Sequence, residues 1–268
     1  MTNGGSASRG WALILGASSG FGGATAVELA KSGLDIFGVH LDMRSTIANA
    51  EAVMKAIEAE GRRAVYFNVN AADAGKRAEV MGAIVAKTSE DGSFVRVLMH
   101  SLAFGSLLPV IADNPKEALS QKQMEMTIDV MGNSLIYWAQ DLASHNLLRR
   151  GSRIFAMTSS GSTRVIKSYG AVSAAKATLE AHIRQLAFEL APLGVTANSI
   201  RAGVTDTPAL RRIPEGPAIL ERVRVSNPSG RATTPEDVAQ AIALLSDERS
   251  QWITGNVIGV DGGEEITV

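Results

Sequence analysis

The run SYGAVSAAK, residues 168–176, holds a phenol and an amine whose spacing suits acid–base chemistry. Tyr169, Val172 and Lys176 follow one another at intervals of three and four, so a helix would carry all three on one face. A phenol in that setting can donate a hydrogen bond or a proton to an oxygen that gains charge, and a nearby ammonium stabilises the same charge. Ser159, a short way upstream, adds a hydroxyl whose role the sequence leaves open.

A second feature is rich in glycine. LILGASSGFGGATAVELAKSG, residues 13–33, reads as a strand, a tight turn and a helix that ends at Gly33. Gly16, Gly20 and Gly22 let the backbone turn sharply and approach a pyrophosphate, with Ser18, Ser19 and Phe21 completing the turn. The helix start adds unpaired N–H groups and the positive end of its dipole. Further on, DIFGVHLDMR (35–44) is a second strand and its exit, where an acidic residue would take the ribose hydroxyls of NAD. His40 holds that position, with Asp42 and Arg44 just beyond. A carboxylate that suits NAD and a cation that suits the NADP phosphate therefore compete, and the cofactor is expected to be NADPH or NADH.

These residues need a scaffold, and the chain supplies one. WALILG, DIFGVH, AVYFNV, RVLMHS, RIFAMTS, VTANSI and NVIGVDG are short β-rich runs, mostly separated by Ala-rich amphipathic stretches. That alternation predicts βαβ crossovers and an α/β, doubly wound parallel sheet of the Rossmann kind, formed as a single domain over 10–268. Residues 1–9 are expected to be a disordered lead-in. From about 206 to 228 the rhythm breaks into sequence rich in Pro, Gly and Arg, expected to be a substrate loop, before TTPEDVAQAIALL restarts a helix capped by Thr234 with Pro235 at its first position.

Composition narrows the chemistry. The chain has no Cys, which excludes thiolates and Cys-ligated metals, and its four His, at 40, 100, 145 and 182, lack the spacing of a metal motif, so no metal is expected. With 26 basic against 27 acidic residues and no long charge run, nucleic acid is not the expected partner. No run is apolar for long enough to span a membrane, and the expected location is cytoplasmic.

Taken together, GxxxGxG at 16–22, Asn68 and Val69 after the third strand, Ser159 at the end of the fifth, Tyr169 with Lys176, and VDGG at 260–263 resemble the short-chain dehydrogenase/reductase family from about residue 11 to residue 263. Within it, MHSLAFG (99–105) is similar to the His-Ser motif of enoyl-acyl-carrier-protein reductases, Asp129 stands at the usual catalytic Asn, and Tyr169-x6-Lys176 has the enoyl-reductase spacing. The stretches 158–181 and 198–214 resemble the NADPH-linked third type of enoyl reductase. The resemblance implies that Tyr169 is catalytic and that Lys176 holds the nicotinamide ribose and supports charge near Tyr169. It further implies that Asn68 and Val69 meet the adenine, that Ser101, Leu102 and Ala103 line the cofactor, and that Gly203, Thr205 and Thr207 flank its carboxamide and pyrophosphate.

Carbonyl reductases of the family have their Tyr at the place of Val172, about 4.5 Å further along a helix than Tyr169. A shift of that kind suits reduction of an α,β-unsaturated thioester, where hydride goes to Cβ and charge develops on an oxygen three bonds away. The expected function is therefore enoyl-thioester reduction in fatty-acid synthesis, on a chain carried by acyl carrier protein, by a homotetramer. The alternative is a short-chain carbonyl reductase such as a 3-oxoacyl-carrier-protein reductase, in which Ser159 assists a displaced Tyr.

Overall fold

The computed structural model describes residues 10–213 and 215–267. The lead-in expected over 1–9 lies outside them. Seven strands form one sheet: β1 (Trp11–Leu15), β2 (Asp35–His40), β3 (Ala64–Asn68), β4 (Val95–His100), β5 (Arg153–Thr158), β6 (Thr196–Ala202) and β7 (Val257–Val260). Each matches one of the β-rich runs, and all pairings are parallel in the order β3-β2-β1-β4-β5-β6-β7. The order reverses direction between β1 and β4. In an open α/β sheet that switch point leaves a crevice beyond the strand ends, and ligands bind there.

Side-chain alternation along β1 explains why both faces must be covered. Trp11, Leu13 and Leu15 enter one apolar layer while Ala12 and Ile14 enter the other. The first layer is closed by α3 (Ala74–Asp91), α5 (Ser134–Ser144) and α6 (Gly170–Glu189), through residues such as Ile84, Trp138 and Ile183. The second is closed by α1 (Gly20–Lys31), α2 (Ile47–Ala59) and α8 (Pro235–Leu245), through Leu29, Ile57 and Ile242. β1, β2 and β5 are buried along their whole length, as central parallel strands must be.

Two regions differ from expectation. The irregular segment expected over 206–228 contains a 3-10 turn at Leu210–Arg212 and a helix, α7 (Gly216–Ser226). Pro217 sits in the first turn of α7, where its missing N–H costs nothing, so the Pro and Gly that looked like loop signals are a helix start. The amphipathic stretch before β5 is not one continuous helix but comes in three parts: α4 (Gln121–Ile128), a π-helical stretch at Asp129–Asn133, and α5. Stretches of π-helix reposition side chains and recur at functional sites. The start of α8 agrees with the sequence, since Thr234 and Asp237 form a capping box.

Candidate active site

The glycine turn is built by close approach of backbone to backbone. Gly16 has φ +90°, and a Cβ there would lie 2.5 Å from Ser101 O; a Cβ at Gly22 would collide with Gly16 O. Only glycine lets strand, turn and helix meet this closely. Gly16 N and Ala17 N both donate to Val39 O, which ties the turn to β2. Ser19 occupies the N-cap of α1 without a side-chain cap bond, and the first turn holds no acidic residue. The helix N–H groups thus remain available to an anion, the arrangement that a pyrophosphate requires.

Beside the cradle, the β2 exit is organised by hydrogen bonds. His40 is buried, and its Nδ1 lies 2.8 Å from Asp42 Oδ2. Asn68 clasps the same turn: Asp42 N donates to Asn68 Oδ1 at 2.9 Å, and Asn68 Nδ2 donates to Asp42 O at 3.0 Å. Burial alone would raise the Asp42 carboxyl, but contacts with Thr46, Ser18 and His40 favour its charged form and hold it below its ordinary value. Arg44 is exposed and forms no ion pair among the described residues. A fixed anion and a free cation thus flank the place where ribose would lie.

Across the switch point, a cavity of about 200 Å³ opens at the carboxyl ends of β5 and β6. Leu107, Met131 and Val172 supply apolar wall on one side, and Leu210, Ile213 and Ile219 on the other. Ser159, Tyr169 and Glu264 are polar groups in that wall. Of the three tyrosines, Tyr66 packs under Gly38, Tyr137 donates to Asp129 Oδ1 at 3.0 Å, and Tyr169 alone lines the cavity.

Tyr169 is the N-cap of α6 rather than a residue within it, with φ −103° and ψ 5°. Its carbonyl accepts from Ser173 N at 2.8 Å, so the helix starts from it, while Ser168 before it has φ +56°. A non-glycine residue in that region is uncommon, and the turn it makes aims the Tyr169 ring. The expectation of one helical face therefore holds for Val172 and Lys176, and Tyr169 is placed by the cap. Its ring packs against the small apolar cluster of Met131, Val172 and Ala175. Burial raises the phenol, with nearby Ser159 opposing the shift. Ser159 Oγ is buried and satisfies no hydrogen bond, although it and the Tyr169 ring approach Gly161 from the same gap. A hydroxyl left unpaired in this position has its bonding capacity free for a ligand.

Lys176 lies behind the cavity wall. It is 6 % exposed, and its Nζ donates to Met157 O at 2.6 Å. Burial lowers its pKa to about 8, against the opposing pull of Glu180. His100 is fully buried and pushed down to about 3, chiefly by desolvation, so its ring is neutral. Ser134 Oγ donates its one proton to Val130 O at 2.8 Å, and therefore His100 Nε2, 2.9 Å away, must be the donor to Ser134. His100 thereby braces the π-helical stretch against β4.

The structure brings Phe21, Ala103, Ser159, Tyr169, Thr205 and Thr207 to one cavity, with Gly203 among its lining. Thr207 also reaches the cradle, its Cγ2 lying 3.7 Å from the place of a Cβ on Gly20. Gly16, Ser101 and Leu102 close the turn behind, whereas His40, Asp42, Arg44, Asn68 and Val69 belong to the β2 exit. The Asn68 amide, expected to meet adenine, is already paired with Asp42. Asp129 does not stand at the cavity as the resemblance implies. The π-helical stretch turns Asp129 to Tyr137 and presents Met131 instead. Phe104, in the MHSLAFG run, is more than half exposed. Met131, Leu107, Ile219 and Glu264 were not foreseen, because each is an ordinary residue that only the tertiary fold brings to the cavity. Among the described residues there is no cluster able to hold a metal, and no helix is long and apolar enough to cross a membrane.

A family model described as Enoyl-(Acyl carrier protein) reductase matches residues 16–265. The 3-oxoacyl-(acyl-carrier-protein) reductase FabG of Aggregatibacter actinomycetemcomitans is 30 % identical over 256 residues, covering 94 % of this chain and 97 % of its own. The NADH-dependent enoyl-(acyl-carrier-protein) reductase FabI of Escherichia coli is 32 % identical over 149 residues, 56 % of each chain. Among solved structures, a short-chain dehydrogenase of Burkholderia cenocepacia in complex with NADP is similar at a TM-score of 0.78, with 28 % identity over 95 % of this chain and 97 % of that one.

Proposed function

The chain belongs to the short-chain dehydrogenase/reductase family, and from that premise we propose that it reduces trans-2-enoyl thioesters with NADPH or NADH. The observation that carries this reading is the pairing of Tyr169, at the cap of α6, with Val172 one turn deeper on the same cavity wall. Where a carbonyl reductase has its phenol, this site has an apolar side chain packed against Met131. A chain carried by acyl carrier protein and a place in fatty-acid synthesis accord with the family description and with both carrier-protein relatives.

The cradle fits a dinucleotide, since two glycines leave room that any Cβ would fill and the α1 N-terminus is uncapped. Gly16 to Gly22 and Thr207 would hold its phosphates, and Lys176 its nicotinamide ribose. A reduced nicotinamide, when bound, would supply the hydride for Cβ of the substrate, and a proton taken up from solvent at Cα would complete the reduction. The part played by the chain is electrostatic. As negative charge builds on the thioester oxygen, the Tyr169 hydroxyl donates a hydrogen bond to it, an interaction made mainly in the transition state. Lys176, buried a short distance behind, adds its charge while protonated. Leu107, Met131, Val172 and Ile213 keep water from the oxygen and so strengthen both effects.

A second reading rests on Ser159. Its unpaired hydroxyl beside Tyr169 is what a carbonyl reductase would use, and a relative that matches nearly the full chain is a 3-oxoacyl reductase. Crotonyl and acetoacetyl thioesters offered in parallel, with each nicotinamide, decide between the two. The enoyl reading expects faster crotonyl reduction, and preference for the ketone overturns it. The assembly that the family resemblance implies is a homotetramer, which the mass in solution checks.

A further inference from the structure

The end of the chain contributes a carboxyl to the cavity that the chemistry above does not use. Glu264 lies just beyond the VDGG run, and its Oε2 accepts from Val204 N at 2.9 Å. That bond docks the chain end on the β6 exit. Glu264 Oε1 accepts no hydrogen bond among the described residues, and the side chain is part of the cavity wall. Its acidic neighbours are otherwise engaged. Asp261 accepts from Gly263 N and Glu265 N, each at 3.0 Å, and Glu265 pairs with Arg164 at 3.2 Å and more loosely with Arg201 at 3.9 Å. Arg164 also donates to Glu265 O, so the 264–266 turn is clamped against the segment that carries Ser159 and Tyr169. Glu264 alone among these acids faces the cavity.

A half-buried carboxyl oxygen is costly unless something donates to it. Burial and the charges of Asp261 and Glu265 raise the Glu264 carboxyl, opposed by Val204 N–H and Arg164, so the wall does not welcome an isolated charge. If the substrate is the thioester proposed above, on which this inference rests, its acyl chain and thioester offer no N–H or O–H. The nearest donor on such a molecule is the secondary amide of the thiol arm. We propose that Glu264 is a specificity-determining residue whose Oε1 accepts a hydrogen bond from the first amide N–H of the pantetheine-like arm, which orients the thioester in the cavity. Glu264 fixes the polar end of the substrate, and the Leu107, Met131 and Val172 wall receives the apolar end.

The test compares two saturated thioesters that differ only at that N–H: S-(2-acetamidoethyl) butanethioate and its oxygen isostere S-(2-acetoxyethyl) butanethioate. Binding to the NADPH-loaded protein is followed by ligand-observed NMR titration, which needs no turnover. The wild type should bind the amide about tenfold more tightly, the usual size of a hydrogen bond to a charged acceptor. Glu264→Gln keeps an acceptor for Val204 N–H but turns an NH2 toward the cavity, and should lose the preference. Glu264→Leu should lose it too. Equal binding of both arms by the wild type overturns the proposal, as does a preference that survives in both variants. A change confined to NADPH affinity also overturns it and assigns the carboxyl to the cofactor. Because neither probe is reduced, failure here is distinct from failure of the enoyl reading, which the crotonyl and acetoacetyl comparison decides.

Discussion

The two halves of the site are held by different kinds of contact. Around the cradle, backbone meets backbone: Gly16 lies on Ser101, Gly22 on Gly16, and Val39 O accepts from two successive amides. Around the cavity, side chains from distant segments meet, with Met131 from the π-helical stretch, Tyr169 from the cap of α6, Ile219 from α7 and Glu264 from the chain end. The first kind tolerates no added atom, whereas the second can be altered one group at a time. Substitutions in the cradle should therefore act on everything at once, and those in the cavity on single steps.

Gly22→Ala tests the stricter half and should have the largest effect. The new methyl has nowhere to go but into Gly16 O, so the turn must open. Loss of about 2–4 kcal/mol of stability is expected, with nicotinamide binding too weak to measure. Thermal melting and NADPH fluorescence together check it; a variant that binds NADPH normally would mean that the turn has slack the structure does not show.

Tyr169→Phe tests the more separable half. The ring, its packing on Val172 and the cap of α6 all remain, and only the hydroxyl goes. Turnover should fall about 10²- to 10³-fold with cofactor affinity within about twofold of the wild type. Adding Val172→Tyr should not restore enoyl reduction, because the hydroxyl then rises from a position one turn deeper on α6. Recovery of activity in the double variant would separate the reaction type from the position of the phenol.

The same division decides what the sequence could reveal. Backbone contact needs glycine, and glycine at Gly16, Gly20 and Gly22 after an apolar run is visible in one dimension. So is the continuous apolar run of β1, and so are all seven strands. The cavity leaves no such trace: Met131 and Ile219 are apolar residues like many others, and Glu264 looks like part of a polar chain end. Asp129 shows the limit of counting along a chain. Its place opposite the usual Asn holds in sequence, but the π-helical stretch adds residues to the turn and rotates Met131 into that direction. The helix α7 was hidden for the opposite reason, since Pro and Gly mark both loops and helix starts.

Lys176 stands between the halves and gives a smaller, graded effect. Its folded-state pKa of about 8 lies below the ordinary 10.5, so the folded protein holds fewer protons than the unfolded chain between those values. Stability should accordingly rise with pH through that window, by up to about 3 kcal/mol, and be flat from this source below it. Activity should run the other way. The charged amine is the useful form, so turnover should decline as pH passes about 8, while Lys176→Met should be slow throughout and show no such decline. Activity that keeps rising to pH 10 would show that the ammonium charge is not used.

The smallest effect is expected at the β2 exit, where a fixed anion and a free cation compete. Asp42 is charged and held by His40 and by the Asn68 clasp on its backbone, so it cannot swing away from a 2′-phosphate. It should favour the bare ribose hydroxyls of NADH. Arg44 is exposed and unpaired among the described residues, and an exposed cation contributes about 1 kcal/mol to binding a phosphate once solvent screening is allowed for. Arg44→Ala should therefore weaken NADPH about fivefold and NADH less than twofold. Asp42→Ala should move the ratio the other way by improving NADPH, yet part of the gain should be lost because His40 is left buried without its partner. Asp42→Asn keeps that bond and removes the charge, so it should shift the preference toward NADPH more cleanly than Asp42→Ala. If both Asp42 variants shift the ratio equally, the His40 contact does not position the exit. If Arg44→Ala weakens both nicotinamides alike, Arg44 does not meet the phosphate, and cofactor choice must lie with the cradle itself, in Ser18 or the α1 N-terminus.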